Sequence, residues 1–183
     1  MANRPVTYAF IDAQNLNLGV QSMGWKLDWK RFRVYLQHKY RIEKAFLFIG
    51  YVSENQRLYS ALQQAGYILI FKPVLTGKGK TKGNVDAELV LHSMIEYPRY
   101  GRALIVTSDG DFACLVKYLA EKNKLAMVLS PQYETCSVLL RRAAKSLIAY
   151  LKYAREKLEY KKRGNAEGRT ASALPHHRNS HSV

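Results

Sequence analysis

A three-layer α/β/α sandwich on a mainly parallel sheet is the fold this sequence predicts, and three observations predict it. Five short runs are apolar nearly throughout, as strands covered on both faces must be. Stretches with apolar residues at helical spacing alternate with them, and turn residues mark the junctions. Alternation of this kind requires crossover connections and gives a layered, Rossmann-like α/β domain. With 183 residues, 48% of them hydrophobic, the chain is long enough for one core and short for two.

The elements follow in order. Thr7-Tyr-Ala-Phe-Ile11 reads as a buried strand ending at Asp12. Asp28 reads as the N-cap of a helix over 29–39, with Phe32, Tyr35 and Leu36 on one face. Ala45-Phe-Leu-Phe-Ile49 is the second strand, and a helix over 54–65 stops at Gly66. Tyr67-Ile-Leu-Ile-Phe71 is the third strand. A polar, glycine-rich loop over 75–84 then leads into a helix over 85–96. Ala103-Leu-Ile-Val-Thr107, a helix over 111–121 and Leu125-Ala-Met-Val-Leu129 come next. A helix over 133–145 and a last short strand or helix over 146–159 close a domain of residues 1–160. Residues 161–183 turn to Lys, Arg, Gly, Asn, Ser and His and are expected to form a basic, disordered tail.

Composition excludes several classes. Two cysteines, Cys114 and Cys136, make neither a disulfide framework nor a four-thiolate zinc site. The opening Met-Ala-Asn-Arg-Pro carries no signal-peptide pattern. No run of about 18 apolar residues could span a bilayer, so a soluble, cytoplasmic protein with no membrane partner is expected. Lys and Arg number 29 against 14 acids, a net charge of +15 with an isoelectric point near 9.9. Only five of those cations and one acid lie from Lys161 onward, so most of the excess belongs to the folded body. Such an excess attracts polyanions, nucleic acid first among them; a merely well-solvated surface is the plainer alternative.

Against that basic background, four acids fall where chemistry is expected. In open α/β sheets, sites form beyond the carboxyl ends of the strands. Asp12 ends the first strand, Asp109 follows the fourth, Asp111 opens the next helix, and Asp86 starts the helix after the third strand. If the first and fourth strands are neighbours across the switch point, Asp12 and Asp109 lie side by side, with Asp86 and Asp111 offered from helix starts. Converging carboxylates repel unless a cation sits between them, and oxygen-only donors suit Mg²⁺ or Mn²⁺. Such an ion activates water for attack on a phosphate. The plainer alternative makes these residues helix caps or turn formers; Asp111 fits it well and Asp12 poorly.

Other motifs carry less. The loop Gly77-Lys78-Gly79-Lys80-Thr81-Lys82-Gly83 lacks P-loop spacing, and Asp12-Ala-Gln-Asn15 stands where a dinucleotide fingerprint would begin. Lys78, Lys80 and Lys82 could instead hold a phosphate backbone beside Asp86, or the loop could be only a flexible connection. Cys114 reads as a buried apolar residue of its helix, and Cys136 has no identifiable catalytic partner. Ser108 lacks a nucleophile elbow, and His92 reads as a satisfied mid-helix residue. Of 13 tyrosines, Tyr8, Tyr51, Tyr97, Tyr100 and Tyr133 could stack on bases, but most read as packing residues.

Three ordered motifs resemble a known family. Phe10-Ile-Asp12-Ala-Gln-Asn15-Leu, Lys82-Gly-Asn-Val-Asp86-Ala-Glu-Leu and Val106-Thr-Ser-Asp109-Gly-Asp111-Phe112 are together similar to the NYN domain, in its LabA-like (DUF88) branch, a relative of the PIN-domain nucleases. The resemblance covers roughly residues 6–150. It implies a PIN-like sandwich and metal-dependent cleavage of RNA, with Asp12, Asp86, Asp109 and Asp111 as the acids and Asn15 and Ser108 shaping the site. Where some members carry another acid one or two turns after the central one, His92 and Ser93 stand here, and Glu88 should not share the face of Asp86.

The expectation is thus a ribonuclease using Mg²⁺ or Mn²⁺, acting on single-stranded or structured RNA, with homo-oligomer formation left open. A non-catalytic RNA-binding module of the same fold is the main alternative. A small-molecule phosphatase or nucleotidase is a second, which Gln14 disfavours because phosphatases of the aspartyl-phosphate kind want D-x-D after the first strand.

Overall fold

The computed structural model describes residues 5–72 and 85–161, the side chains of Val85 and Asp86 excepted. Six strands form one sheet: β1 (Thr7–Asp12), β2 (Ile42–Gly50), β3 (Tyr67–Lys72), β4 (Arg102–Val106), β5 (Leu125–Ser130) and β6 (Ile148–Tyr150). Their order is β3-β2-β1-β4-β5-β6, and every pairing is parallel. The strand order therefore reverses between β1 and β4, which are the expected neighbours across the switch point. All six residues of β1 are buried, as a central strand covered on both sides requires.

The sheet separates two apolar layers according to the period-two alternation of its strands. Ala9, Ile11, Ala45, Leu47, Leu104 and Val106 face one layer. It is completed by Leu16 and Val20 of α1 (Ala13–Ser22), Phe32 and Leu36 of α2 (Trp29–Tyr40) and Leu62 of α3 (Gln56–Gln64). The opposite layer holds Tyr8, Phe10, Phe46, Phe48, Ile105 and Val128. Against them pack Leu89 of α4 (Val85–Ile95), Leu115, Val116 and Leu119 of α5 (Ala113–Glu121) and Leu140 of α6 (Val138–Ala144). Phe10 is fully buried, stacked on Phe46 at 5.3 Å and edge-on to Tyr100 at 5.6 Å. Each such ring contributes about 1.5–3 kcal/mol by leaving water.

The last described segment crosses to the first layer. A short α7 (Arg155–Leu158) buries Leu158, and the chain is then stitched to residues 26–28. Asp28 donates its N–H to Leu158 O at 2.8 Å, and Tyr160 donates to Lys26 O at 2.8 Å.

Several local readings need correction. The helix α1 directly after Asp12 is not signalled by strong periodicity, because only Ala13, Leu16 and Val20 are buried. The stretch 111–121 opens as a 3₁₀ turn, Gly110–Phe112, before α5 begins. The stretch 133–145 is helical only over Val138–Ala144, since Ser137 caps it by accepting from Leu139 N at 3.3 Å. Cys136 consequently precedes the helix; it is buried, and burial pushes its thiol pKa up, the reverse of what a nucleophile needs. Cys114, expected inside, is exposed, whereas Leu115, Val116 and Leu119 of the same helix are buried. Gly66 behaves as expected, ending α3 with φ +94. Residues 162–183 and the loop bearing Lys78, Lys80 and Lys82 lie outside the described residues. Among the described residues, no helix is long and apolar enough to cross a membrane.

Candidate active site

Asp12 ends β1 at the carboxyl edge of the sheet, and Asp109 and Asp111 follow β4 beyond that same edge. Asp12 is the last residue of β1 and only 6% exposed. Its neighbour Ile11 is in register with Val106, so the next residues, Asp12 and Thr107, leave the two central strands at the same level. Asp109 follows two residues later. On the other side of the sheet, α4 ends at Ile95, shortly before β4 starts at Arg102. Its eleven residues rise about 16 Å, about the length of a five-residue strand. The first turn of α4, which contains Asp86, therefore reaches the level of the strand ends, and α4 packs against β1, β2 and the 3₁₀ turn Gly110–Phe112. The side chain of Asp86 is outside the described residues.

Both central acids also have local duties. Asp12, at φ −75 and ψ 100, is the N-cap of α1, and its Oδ1 accepts from Asn15 N at 3.1 Å. The expectation that Asp12 fits a capping role poorly is thus overturned: a strand that runs straight into a helix leaves its last residue to satisfy the first open N–H groups. Asp109, not Asp111, caps the 3₁₀ turn, accepting from Asp111 N at 3.0 Å. Asp111 is exposed and donates to that cap. Among the described residues, neither Asp109 nor Asp111 forms an ion pair within 4.0 Å. Also among the described residues, no group of three or more His, Cys, Asp or Glu side chains is placed to hold a metal ion. A complete ligand set would therefore need Asp86, water or substrate oxygens.

Two residues distant in sequence tie the edge together. Asn15 Oδ1 accepts from the N–H and from the hydroxyl of Ser108, each at 2.8 Å. Thr107, fully buried, accepts from Asp109 N through Oγ1 at 3.2 Å. Thr107 was not singled out by sequence, although its place between the strand and Ser108-Asp109 is a readable signal. Ser137 was missed as well: its N–H donates to Ser108 O at 2.9 Å, bringing the start of α6 under the acidic turn.

Gly110 is required by that contact. A Cβ there would collide with Ser137 Oγ, which is already engaged in capping α6. We expect Gly110→Ala to cost about 1–3 kcal/mol through overpacking, read as a lowered melting temperature. Adding Ser137→Gly should recover part of the loss, because glycine is nearly as good an N-cap.

The remaining candidates differ in exposure. His92 is partly exposed, 5.7 Å from the Phe48 ring and 3.9 Å from Glu88. Tyr8 and Tyr100 are core residues, whereas Tyr51 and Tyr133 are 44% and 51% exposed. Arg141 holds the loop before α6, donating to Tyr133 O and Cys136 O at 2.9 Å each.

Comparison with known proteins identifies the family and the fold. The NYN domain family model matches residues 7–151, which include Asp12, Asp86, Asp109 and Asp111. The low amplitude and bright protein LabA of Synechococcus elongatus is 28% identical over 142 residues, spanning 71% of this chain and 76% of that protein. A crystal structure of a Vibrio parahaemolyticus protein of unknown function superposes with a TM-score of 0.68 at 20% identity, over 79% of this chain and 92% of that one. That likeness establishes the shared α/β fold.

Proposed function

Because this chain belongs to the NYN domain family, we propose that it is a ribonuclease dependent on Mg²⁺ or Mn²⁺, hydrolysing phosphodiester bonds at the carboxyl edge of its sheet. The observation that supports this most is the pairing of β1 with β4, whose ends carry Asp12 and Asp109 beside the first turn of α4. The donors offered there are oxygens only, which fits Mg²⁺ or Mn²⁺, since such ions take few protein carboxylates and complete their shell with water and phosphate oxygens. Asp12, Asp86 and Asp109 would hold the ion, with Asp111 a direct or water-mediated ligand. A divalent ion bound there supplies the charge that eases deprotonation of the attacking water and offsets the charge developing on the phosphate.

The chain's own residues do the rest. Asp12 and Asp109 are fixed by their caps, so their carboxylates need little reordering when substrate arrives. Asn15 holds Ser108, and through it the turn carrying Asp109 and Asp111. Lys78, Lys80 and Lys82 would attract the RNA backbone from the segment before α4.

Capping also favours a second reading, in which the acids serve only the fold and the protein binds RNA without cutting it. Incubation of labelled single-stranded RNA with Mn²⁺, and in parallel with EDTA, separates the two. Metal-dependent fragments, abolished by EDTA, are expected. Salt-sensitive binding with intact RNA under both conditions would establish the binding module.

A further inference from the structure

The outer face of α2 and the end of the described chain enclose an open groove of about 1140 Å³, lined by none of the four predicted acids. Its lining brings Lys30, Arg31 and Lys39 of α2 together with Lys157 and Lys161, against one acid, Asp28. That acid is already paired with Arg31 at 3.5 Å. Arg31, Tyr35 and Lys39 recur every fourth residue, a stripe about 12 Å long. The groove is held open by backbone bonds, since residues 158–160 are stitched to residues 26–28. No described ion pair engages Lys30, Lys157 or Lys161.

We propose that this groove is a second RNA-binding surface, which holds the phosphate backbone of a strand on elements other than those that carry the acids. Five cations lining one groove, only Arg31 of them paired with the single acid, select a polyanion. The chain's own continuation is excluded as occupant by its sequence, because residues 161–183 carry five cations and one acid and would be repelled. Tyr160, 51% exposed with Lys26 Nζ 5.5 Å from its ring centre, adds an aromatic group among the lysines, which a nucleic acid uses and a carboxylate polymer does not. The choice of RNA as the polyanion rests on the ribonuclease reading; the charge pattern does not. Contacts of this kind add affinity without sequence preference, so the groove would anchor long substrates while the acids act elsewhere along the strand.

The test is fluorescence anisotropy of a labelled single-stranded RNA with the full chain in EDTA over a salt series, which needs no catalysis. Lys30 and Lys157 are exposed, so the variant Lys30→Ala/Lys157→Ala is expected to melt as the parent does. It should bind RNA about tenfold more weakly, with the slope of log K against log salt reduced by about 1.4, or roughly 0.7 per lost contact. Unchanged affinity and slope would overturn the groove and leave the ribonuclease reading standing. Absence of Mn²⁺-dependent cleavage, with the affinity loss observed, would overturn the ribonuclease and leave the groove standing. Polyglutamate binding to the parent that the double variant loses, with RNA binding unaffected, would assign the groove to acidic peptides and also overturn it.

Discussion

Asp12→Asn is expected to lower Mn²⁺-dependent RNA cleavage by on the order of 10³-fold, about 4 kcal/mol of transition-state stabilisation, while leaving the fold nearly untouched. The reason is that the two roles of Asp12 draw on different properties of its side chain. As N-cap of α1 it needs an oxygen that accepts from Asn15 N, and asparagine caps as well as aspartate. The favourable interaction of a negative charge with the helix start is lost, about 0.3–1 kcal/mol. For a protein of this size that lowers the melting temperature by no more than about 4 °C. As a metal ligand, by contrast, the residue needs its charge, which the amide lacks. Asp109→Asn should behave alike, because its cap to Asp111 N also needs only an oxygen. Asp111→Asn should cost less, as that carboxylate is exposed. Asp12→Ala separates the roles from the other side, adding a stability loss of about 1 kcal/mol as the cap disappears. Binding of RNA in EDTA should survive or tighten in the asparagine variants, since a negative charge facing phosphate is removed. Full cleavage in both Asp12→Asn and Asp109→Asn would sink the catalytic assignment, whatever the melting curves show.

The sheet was readable because its strands announce themselves twice. Thr7-Tyr-Ala-Phe-Ile11 is apolar on both alternating sets, and a strand buried on both faces has few other places to go. The neighbouring of β1 and β4 followed from the switch point of a doubly wound sheet, not from either strand alone. What escaped were features whose cause lies elsewhere in the fold. α1 buries just Ala13, Leu16 and Val20, because its other side faces solvent, and the sequence offered no strong periodicity to mark it. Exposure of Cys114 depends on which side of α5 meets the sheet, and the run Phe112-Ala-Cys-Leu-Val116 is apolar on every side. Ser137 could be suspected as a cap from the apolar run after it. Its place beneath Gly110 is a contact between segments 27 residues apart, which no local pattern encodes. The positions of Asp12 and Asp109 at or just beyond strand ends were legible, but the capping role was expected of Asp111 rather than of Asp12 and Asp109. A carboxylate that opens a helix and a carboxylate that awaits a ligand occupy the same place in sequence.

The second large effect is expected at Asn15, which touches no reacting atom in this reading and acts as a positioning residue. Its Oδ1 is the shared acceptor for the N–H and hydroxyl of Ser108, 93 residues away. Asn15→Ala removes both bonds and leaves the half-buried N–H of Ser108 without its acceptor, a cost of about 1–3 kcal/mol. The turn that carries Asp109 then loses its tie to α1. A displacement near 1 Å at such a site lowers rate by about 10²-fold. That loss should fall on kcat, with RNA affinity in EDTA unchanged, because the phosphate-gripping cations are not disturbed; a purely structural weakening would move stability without that split. Ser108→Ala removes only the hydroxyl bond and should show the smaller effect. Since both substitutions act through one hydrogen-bonded unit, Asn15→Ala/Ser108→Ala should resemble Asn15→Ala alone rather than the sum. Asn15→Asp is the informative companion: it keeps the accepting oxygen but adds a negative charge between Asp12 and the Asp109 turn, where like charges repel. It should therefore fold better than Asn15→Ala at low pH, with the difference narrowing as the new carboxyl ionises. Strict additivity of the two alanine substitutions, or an unchanged kcat in Asn15→Ala, would show that the two halves of the acidic edge are held together by something other than this bond.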